Sequence, residues 1–73
     1  MSKVYLIKDL ARLTDQSIHT LKFYLKIGLI KEIGRSPETG YRYFDNSTVT
    51  KLEKIRQLRK KKIALKEIKS ELR

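Results

Sequence analysis

Two short apolar patterns separated by four turn-forming residues constrain the fold of this chain most strongly. Ile7, Leu10 and Ala11 recur at helical spacing and predict a first helix over residues 7–13. A second apolar set predicts another helix that ends near Gly28, a residue that readily adopts the left-handed conformation. The segment 14–17 between them (TDQS) contains residues that favour turns and helix N-caps. Two helices joined in this way predict a helix-turn-helix over about residues 6–26.

Glycine and proline interrupt the chain after the second helix and predict a hairpin. Gly34, Pro37 and Gly40 separate two short strands near residues 31–35 and 41–44, with a turn at 36–40. An isolated hairpin is barely stable in water, so this one should pack against the helices. A hairpin attached to a helix-turn-helix in this manner is called a wing, and it occupies about residues 31–44.

Two further helices complete the predicted domain, over about residues 45–72. Asp45 or Asn46 should cap the third helix, whose buried edge carries Val49, Leu52, Ile55 and Leu58. Ile63 and Ile68 suggest a hydrophobic staple at the start of a fourth helix that runs through Leu72, with Ala64 as a weak cap. The predicted fold class is mainly α with a small β-hairpin wing, a winged helix-turn-helix with four short helices in a single domain over residues 1–73.

The charge of the chain is strongly one-sided. Lysine and arginine number 18 against 8 acidic residues, which gives a net charge of +10. Residues 51–62 contribute +6 of this charge and residues 1–36 contribute +4. Such an excess favours a polyanionic partner, with nucleic acid first and an anionic membrane second. The alternative is a basic surface that serves only solubility.

Several function classes are excluded or disfavoured by composition. The absence of cysteine excludes disulfides and thiolate metal sites, and the single histidine, His19, cannot form a zinc site alone. No nucleophile or carboxylate pairing accompanies His19, so we expect neither an enzyme nor a bound cofactor. No apolar run approaches the roughly 20 residues of a membrane span, and no signal-peptide pattern is present. We therefore expect a cytoplasmic, nucleoid-associated protein with no membrane partner.

The second helix offers a surface suited to DNA. At about 100° per residue, Ile18, Leu21 and Leu25 share one side, while the opposite side carries His19, Thr20, Phe23 and Lys26. Such a face suits the major groove. Ser17 and Thr20 lie near the helix N-terminus and could bond base edges or phosphate, and Lys22 and Lys26 could reach phosphates. The alternative is an ordinary surface helix with one exposed aromatic ring.

The candidate residues of the wing are Arg35, Tyr41, Arg42 and Tyr43. Strand alternation puts the two tyrosines on one face and Arg42 with Phe44 on the other, so at least one aromatic side chain should be structural. We expect Phe44 in the core. We expect Arg42 at a phosphate, because the planar guanidinium group of arginine can donate two hydrogen bonds to one phosphate. The alternative is that the tyrosines only cover the core. The basic run at 59–62 either contacts the DNA backbone or extends the electrostatic field.

The order of these elements, and several strings within them, resemble the DNA-binding domain of the MerR family of bacterial transcription regulators. Residues 7–11 (IKDLA) are similar to the opening helix of the family, and residues 17–24 (SIHTLKFY) to its recognition helix. Residues 27–30 (IGLI), 40–44 (GYRYF) and 65–69 (LKEIK) are similar to the helix exit, the wing motif and the fourth helix. The resemblance extends from about Val4 to Leu72. The complete candidate DNA-binding set is Ser17, His19, Thr20, Lys22, Phe23, Tyr24, Lys26, Arg35, Tyr41, Arg42 and Tyr43.

The chain also departs from the family pattern. Phe23 and Phe44 stand where the family usually has tyrosine, and the loss of a hydroxyl at Phe23 removes a possible phosphate hydrogen bond. His19 stands where arginine is common, which implies a weaker and pH-sensitive contact. The other departures are Leu25 in place of an acidic residue and Lys61-Lys62 in place of a Leu-Gly pair.

The resemblance implies sequence-specific binding of double-stranded DNA by a transcription regulator. The recognition helix would enter the major groove, and the wing would contact the backbone or minor groove. It also implies RNA polymerase at the promoter as a further partner. The alternative is a small architectural or excisionase-like protein of a phage or mobile element. The one apolar stripe of the fourth helix serves the core and the +10 charge repels a second copy, so we expect the 73-residue chain to be monomeric. Family members dimerise through a long helix, so a longer native chain carrying that helix should dimerise.

Overall fold

The computed structural model describes residues 3–72 and contains four helices and one hairpin. In chain order these are α1 (Ile7–Thr14), α2 (Ile18–Lys26), β1 (Gly34–Arg35), β2 (Arg42–Tyr43), α3 (Asn46–Lys60) and α4 (Leu65–Glu71). The predicted winged helix-turn-helix is confirmed. Each helix lies within two residues of its predicted bounds. The two strands are shorter than predicted.

Local hydrogen bonds set the geometry of the helix-turn-helix. The Asp9 carboxylate accepts the backbone N–H of Leu6 at 2.9 Å and so satisfies a free donor at the start of α1. Asp15 ends α1 in the left-handed conformation with φ 54°, which aspartate tolerates better than most residues. Ser17 then caps α2 by accepting the N–H of Thr20 at 3.0 Å. The predicted turn and N-cap are therefore confirmed.

The wing is a two-residue antiparallel pair with a third strand segment beside it. Gly34 pairs with Tyr43 and Arg35 with Arg42. Gly40 has φ +75°, as its predicted place in the turn requires, and its N–H bonds the Ser36 carbonyl. On the other side of β2, the backbone of Phe44 exchanges two hydrogen bonds with Tyr5, at 2.7 and 2.8 Å. This pairing attaches the start of the chain to the wing and was not predicted from the sequence.

The last two helices, α3 and α4, begin next to the predicted cap residues Asp45 and Ala64. Asp45 caps α3 by accepting the N–H of Ser47 at 3.0 Å. Hydrogen bonds from the hydroxyl and backbone of Ser47 lower the pKa of Asp45 below its ordinary value. Ala64 precedes α4 without a side-chain cap bond, and the half-buried Ile63 packs against the core beside it. Lys62, in the left-handed conformation with φ 61°, forms the turn between α3 and α4.

One hydrophobic core joins the helices and the wing. Its buried members are Leu10, Leu21, Tyr24, Leu29, Ile30, Phe44, Leu52, Ile55 and Ile68. Phe44 is fully buried, which confirms its predicted place.

The predicted buried faces need correction at four positions. Ile18 is 41% exposed, because the buried side of α2 is centred on Leu21 and Tyr24, and the first residue of α2 points away from it. Leu25, Val49 and Leu58 are only half-buried at the edge of the core. No helix among residues 3–72 is both long and apolar enough to cross a membrane.

Replacing Phe44 should test whether this one side chain joins the wing to the helices. Phe44→Ala should lower the free energy of unfolding by about 3–5 kcal/mol, because it leaves a cavity in a small core. Tyr41→Ala in the same hairpin is the matched control, because Tyr41 is 63% exposed, and it should change stability by less than about 0.5 kcal/mol. Urea unfolding followed by circular dichroism measures both. Equal stability of the two variants would contradict the core role of Phe44.

Candidate nucleic-acid interface

Polar and cationic side chains and one aromatic ring make up most of the exposed face of α2. His19, Lys22, Phe23 and Lys26 are exposed, and each is three or four residues from two of the others. They therefore form a single stripe along the helix, which we call the α2 stripe. The expected exposure of these four side chains is confirmed, whereas their contact with DNA stays a prediction.

Two other candidate residues of α2 are placed differently from the sequence expectation. Tyr24 is only 7% exposed and belongs to the core, so its predicted place at a DNA surface is wrong. The reason is geometric, because Tyr24 lies three residues after Leu21 and shares its buried side. Thr20 is half-buried at the edge of the stripe, and its hydroxyl accepts a hydrogen bond from Ser17 at 2.9 Å.

A cationic cleft lies between α1, α2 and the wing. Its volume is about 590 Å³. Four basic side chains line it: Lys8 from α1, Lys22 from α2, and Arg35 and Arg42 from the two wing strands. Tyr41 and Gly40 complete its wing side. The cleft therefore brings together three of the predicted basic residues and adds Lys8, which the sequence did not single out.

Glu32 holds the two wing arginines beside each other. One carboxylate oxygen, Oε2, lies 3.5 Å from Arg35 Nε and 3.3 Å from Arg42 Nε. Because both contacts use Nε, the terminal nitrogens of each guanidinium remain available for another anion. A hydrogen bond from its backbone N–H, together with the charges of Arg42 and Arg35, lowers the pKa of Glu32, and desolvation opposes this shift. The contact with Arg35 could not be read from the i, i+3 spacing, because that rule applies to helices and residues 32–35 are not helical. The contact with Arg42 depends on the hairpin register.

The Tyr43 ring has a structural place in the hairpin. Tyr43 is half-buried and lies directly across from Gly34. A Cβ atom at Gly34 would lie only 2.5 Å from Tyr43 Cζ. The Tyr43 ring therefore packs directly against Gly34, and any larger residue at position 34 would clash with it. Tyr41, on the same predicted face, is largely exposed and lines the cleft. The expectation that at least one wing aromatic is structural is confirmed by Phe44 and Tyr43.

Cationic side chains from α3 and α4 bond backbone carbonyls at the C-terminal ends of α1 and α2. Arg56 donates to the Thr14 carbonyl at 3.2 Å and lies 3.5 Å from the Asp15 carboxylate, in the turn that precedes α2. Lys69 donates to the Ile27 carbonyl at 2.8 Å, directly after α2 ends. A cation at a helix C-terminus is favoured by the exposed carbonyl groups and the helix dipole. Arg56 and Lys69 were missed, because no local sequence pattern connects residues about 40 positions apart.

The basic run at 59–62 lies at the end of α3 that is remote from the wing. It stands at the C-terminal end of α3, whose first residue follows the wing directly. A 15-residue helix is about 22 Å long, so most of the length of α3 separates this run from the wing. Within residues 3–72 no group of three or more acidic or histidine side chains could hold a metal ion.

Comparison with known proteins identifies the family. A sequence model of the MerR HTH family regulatory proteins matches residues 5–73. The chain belongs to the MerR family. Its folded residues therefore correspond to the helix-turn-helix region of this family, as the sequence resemblance predicted.

Individual MerR-family relatives agree with this assignment. The HTH-type transcriptional regulator SkgA of Caulobacter vibrioides is 37% identical over 71 residues, which cover 94% of this chain and 27% of SkgA. The multidrug-efflux transporter 1 regulator of Bacillus subtilis is 36% identical over 55 residues, which cover 75% of this chain and 20% of the regulator. The chain thus spans about a quarter of the length of these curated relatives.

Solved structures show the same fold. A MerR-family transcriptional regulator from Bacillus cereus superimposes with a TM-score of 0.89 at 24% identity, over 96% of this chain and 52% of that one. HiNmlR is described as a MerR-family regulator that lacks the sensor domain and is bound to promoter DNA. It superimposes with a TM-score of 0.82 at 31% identity, over 93% of this chain and 51% of HiNmlR.

The wing contacts of this MerR-family chain can be tested by titrating Glu32. Folding lowers the pKa of Glu32. Its contacts therefore stabilise the fold at pH values above the ordinary pKa of a glutamate. This stabilisation is lost as the pH falls through the lowered pKa of the folded state. NMR detection of the side-chain carboxyl carbon should show the lowered pKa directly. Arg42→Ala should raise it only part of the way, because the backbone hydrogen bond remains. Arg59→Ala, at the far end of α3, should leave it unchanged. A full return to the ordinary value in Arg42→Ala would contradict this assignment.

Proposed function

We propose that this chain is the domain with which a MerR-family transcription regulator binds double-stranded DNA sequence-specifically. In this proposal α2 enters the major groove and the wing contacts the backbone or the minor groove. One observation carries the proposal: the cleft lined by Lys8, Lys22, Arg35 and Arg42 lies directly beside the α2 stripe. A single approach of the duplex would therefore serve both surfaces.

The dimensions and chemistry of the two surfaces support this mode of binding. The major groove of B-DNA is about 12 Å wide and admits an α-helix with its side chains. His19 and Thr20 lie in the N-terminal half of α2 and carry groups that can bond base edges. Phosphates suit the cleft, because guanidinium groups bind them in a fork and lysines bind them as point charges. The proposed DNA-binding set is Ser17, His19, Thr20, Lys22, Phe23, Lys26, Arg35, Tyr41 and Arg42, with Lys8 added and the tyrosines at 24 and 43 assigned to the fold.

Family membership favours a regulator over the architectural or excisionase-like alternative. HiNmlR, bound to promoter DNA, supports duplex DNA as the partner. We further propose that the intact regulator acts in the cytoplasm, at a promoter with RNA polymerase, and without catalytic activity of its own. Its relatives are transcription regulators.

Replacing one wing arginine should separate phosphate contact from base reading. Arg42→Ala should weaken binding to a selected duplex and to a random duplex by similar factors, because a phosphate contact carries no sequence information. The slope of log affinity against log salt should flatten by roughly one unit. Arg59→Ala removes the same charge at the far end of α3 and should leave the slope nearly unchanged. Fluorescence anisotropy over a salt series measures both. Loss of specific binding alone would refute the phosphate assignment of Arg42.

Randomised-site selection should show whether α2 reads bases. His19→Ala and Thr20→Ala should each change the preferred base at one or two positions of the selected site. The cost against the original base should be about 1–3 kcal/mol. Thr50→Ala, an exposed threonine of α3, is the matched control and should select the original site. If both α2 variants also selected that site, α2 would not be the reading helix.

A further inference from the structure

Phe23 is an exposed aromatic ring within the cationic α2 stripe. It is 45% exposed, and its neighbours on the stripe are His19, Lys22 and Lys26. A partner that covers this ring would remove its apolar surface from water, which favours binding. The lysines beside the ring indicate that the partner is an anion rather than an apolar protein surface.

Phe23 cannot be buried by rotation of α2. The next residue, Tyr24, occupies the core, and the two ring centroids are 6.4 Å apart with planes tilted by 49°. Successive side chains on a helix point about 100° apart, so burying Phe23 would expose Tyr24. Lys69, which donates to the Ile27 carbonyl directly after α2 ends, opposes such a rotation. Phe23 therefore faces the partner of α2 as part of the fixed surface.

We propose that Phe23 contacts the C5-methyl group of a thymine and thereby selects thymine at one position of the binding site. This proposal rests on the proposed function. A phenyl ring has no donor or acceptor, so it can neither read polar base edges nor bond a phosphate. The thymine methyl is the apolar group that an unmodified duplex presents in the major groove. Lys22 and Lys26 lie about 100° and about 60° from Phe23 around the helix, in the same direction, and would hold phosphates on that side while the ring meets the base.

Replacing thymine by uracil tests the contact, because uracil differs only by the missing methyl group. Each thymine of the selected duplex is replaced in turn, and binding of the 73-residue chain is measured by fluorescence anisotropy. One position should weaken binding about three- to fourfold, the value of burying one methyl group. Phe23→Ala should bind thymine and uracil equally at that position. Ile18→Ala removes another exposed apolar side chain of α2 and should retain the wild-type difference.

Each outcome of this experiment is decisive. Equal binding of thymine and uracil by the wild type at every position would overturn the role of Phe23, while tight binding of the selected duplex would still support the proposed function. A difference that persists in Phe23→Ala would assign the methyl contact to another residue and also overturn the proposal. Failure of the wild-type chain to bind any duplex would refute the proposed function itself. Because Phe23 is exposed, the unfolding transition of Phe23→Ala should match that of the wild type.

Discussion

The attachment of α2 to the rest of the domain is the constraint on which the candidate binding surface depends. A helix of nine residues is too short to be stable alone in water. Leu21 and Tyr24 bury its inner side, and Lys69 bonds the backbone where it ends. Arg56 bonds the last carbonyl of α1, before the turn that leads into α2. These contacts fix both the position of α2 and its rotation about its own axis. The outward face is therefore determined by core packing, before any partner binds.

Four of the eight acidic residues make local contacts within this basic chain. Asp9 accepts a backbone N–H at the start of α1, and Asp45 caps α3. Asp15 pairs with Arg56, and Glu32 pairs with two arginines. These carboxylates order local features, and the excess of lysine and arginine over all acidic residues leaves a positive field that attracts a polyanion.

Local sequence signals were sufficient to predict the bounds of the helices, but they could not predict the contacts between segments that are distant in the sequence. Apolar periodicity, the caps Ser17 and Asp45 and the glycine turns place the helices within two residues, because these effects act over one or two turns. The pairing of Tyr5 with Phe44 and the contact of Glu32 with Arg42 join residues that no local pattern relates. For the same reason the α2 stripe was largely predictable, while Lys8 became part of the site only when the fold brought it to the cleft.

The adjacent rings of Phe23 and Tyr24 show why folding and recognition are coupled in this domain. Periodicity placed Phe23 on the outward side of α2, but the candidate DNA-binding set also included Tyr24. The core decides that Tyr24 points inward, because this residue is buried with Leu21 while the polar stripe continues through Phe23. A substitution at Tyr24 would therefore alter the reading surface without touching DNA, since any rotation of α2 that repacks the core also turns Phe23 and His19. Specificity in this small domain thus depends on its core as well as on its exposed residues.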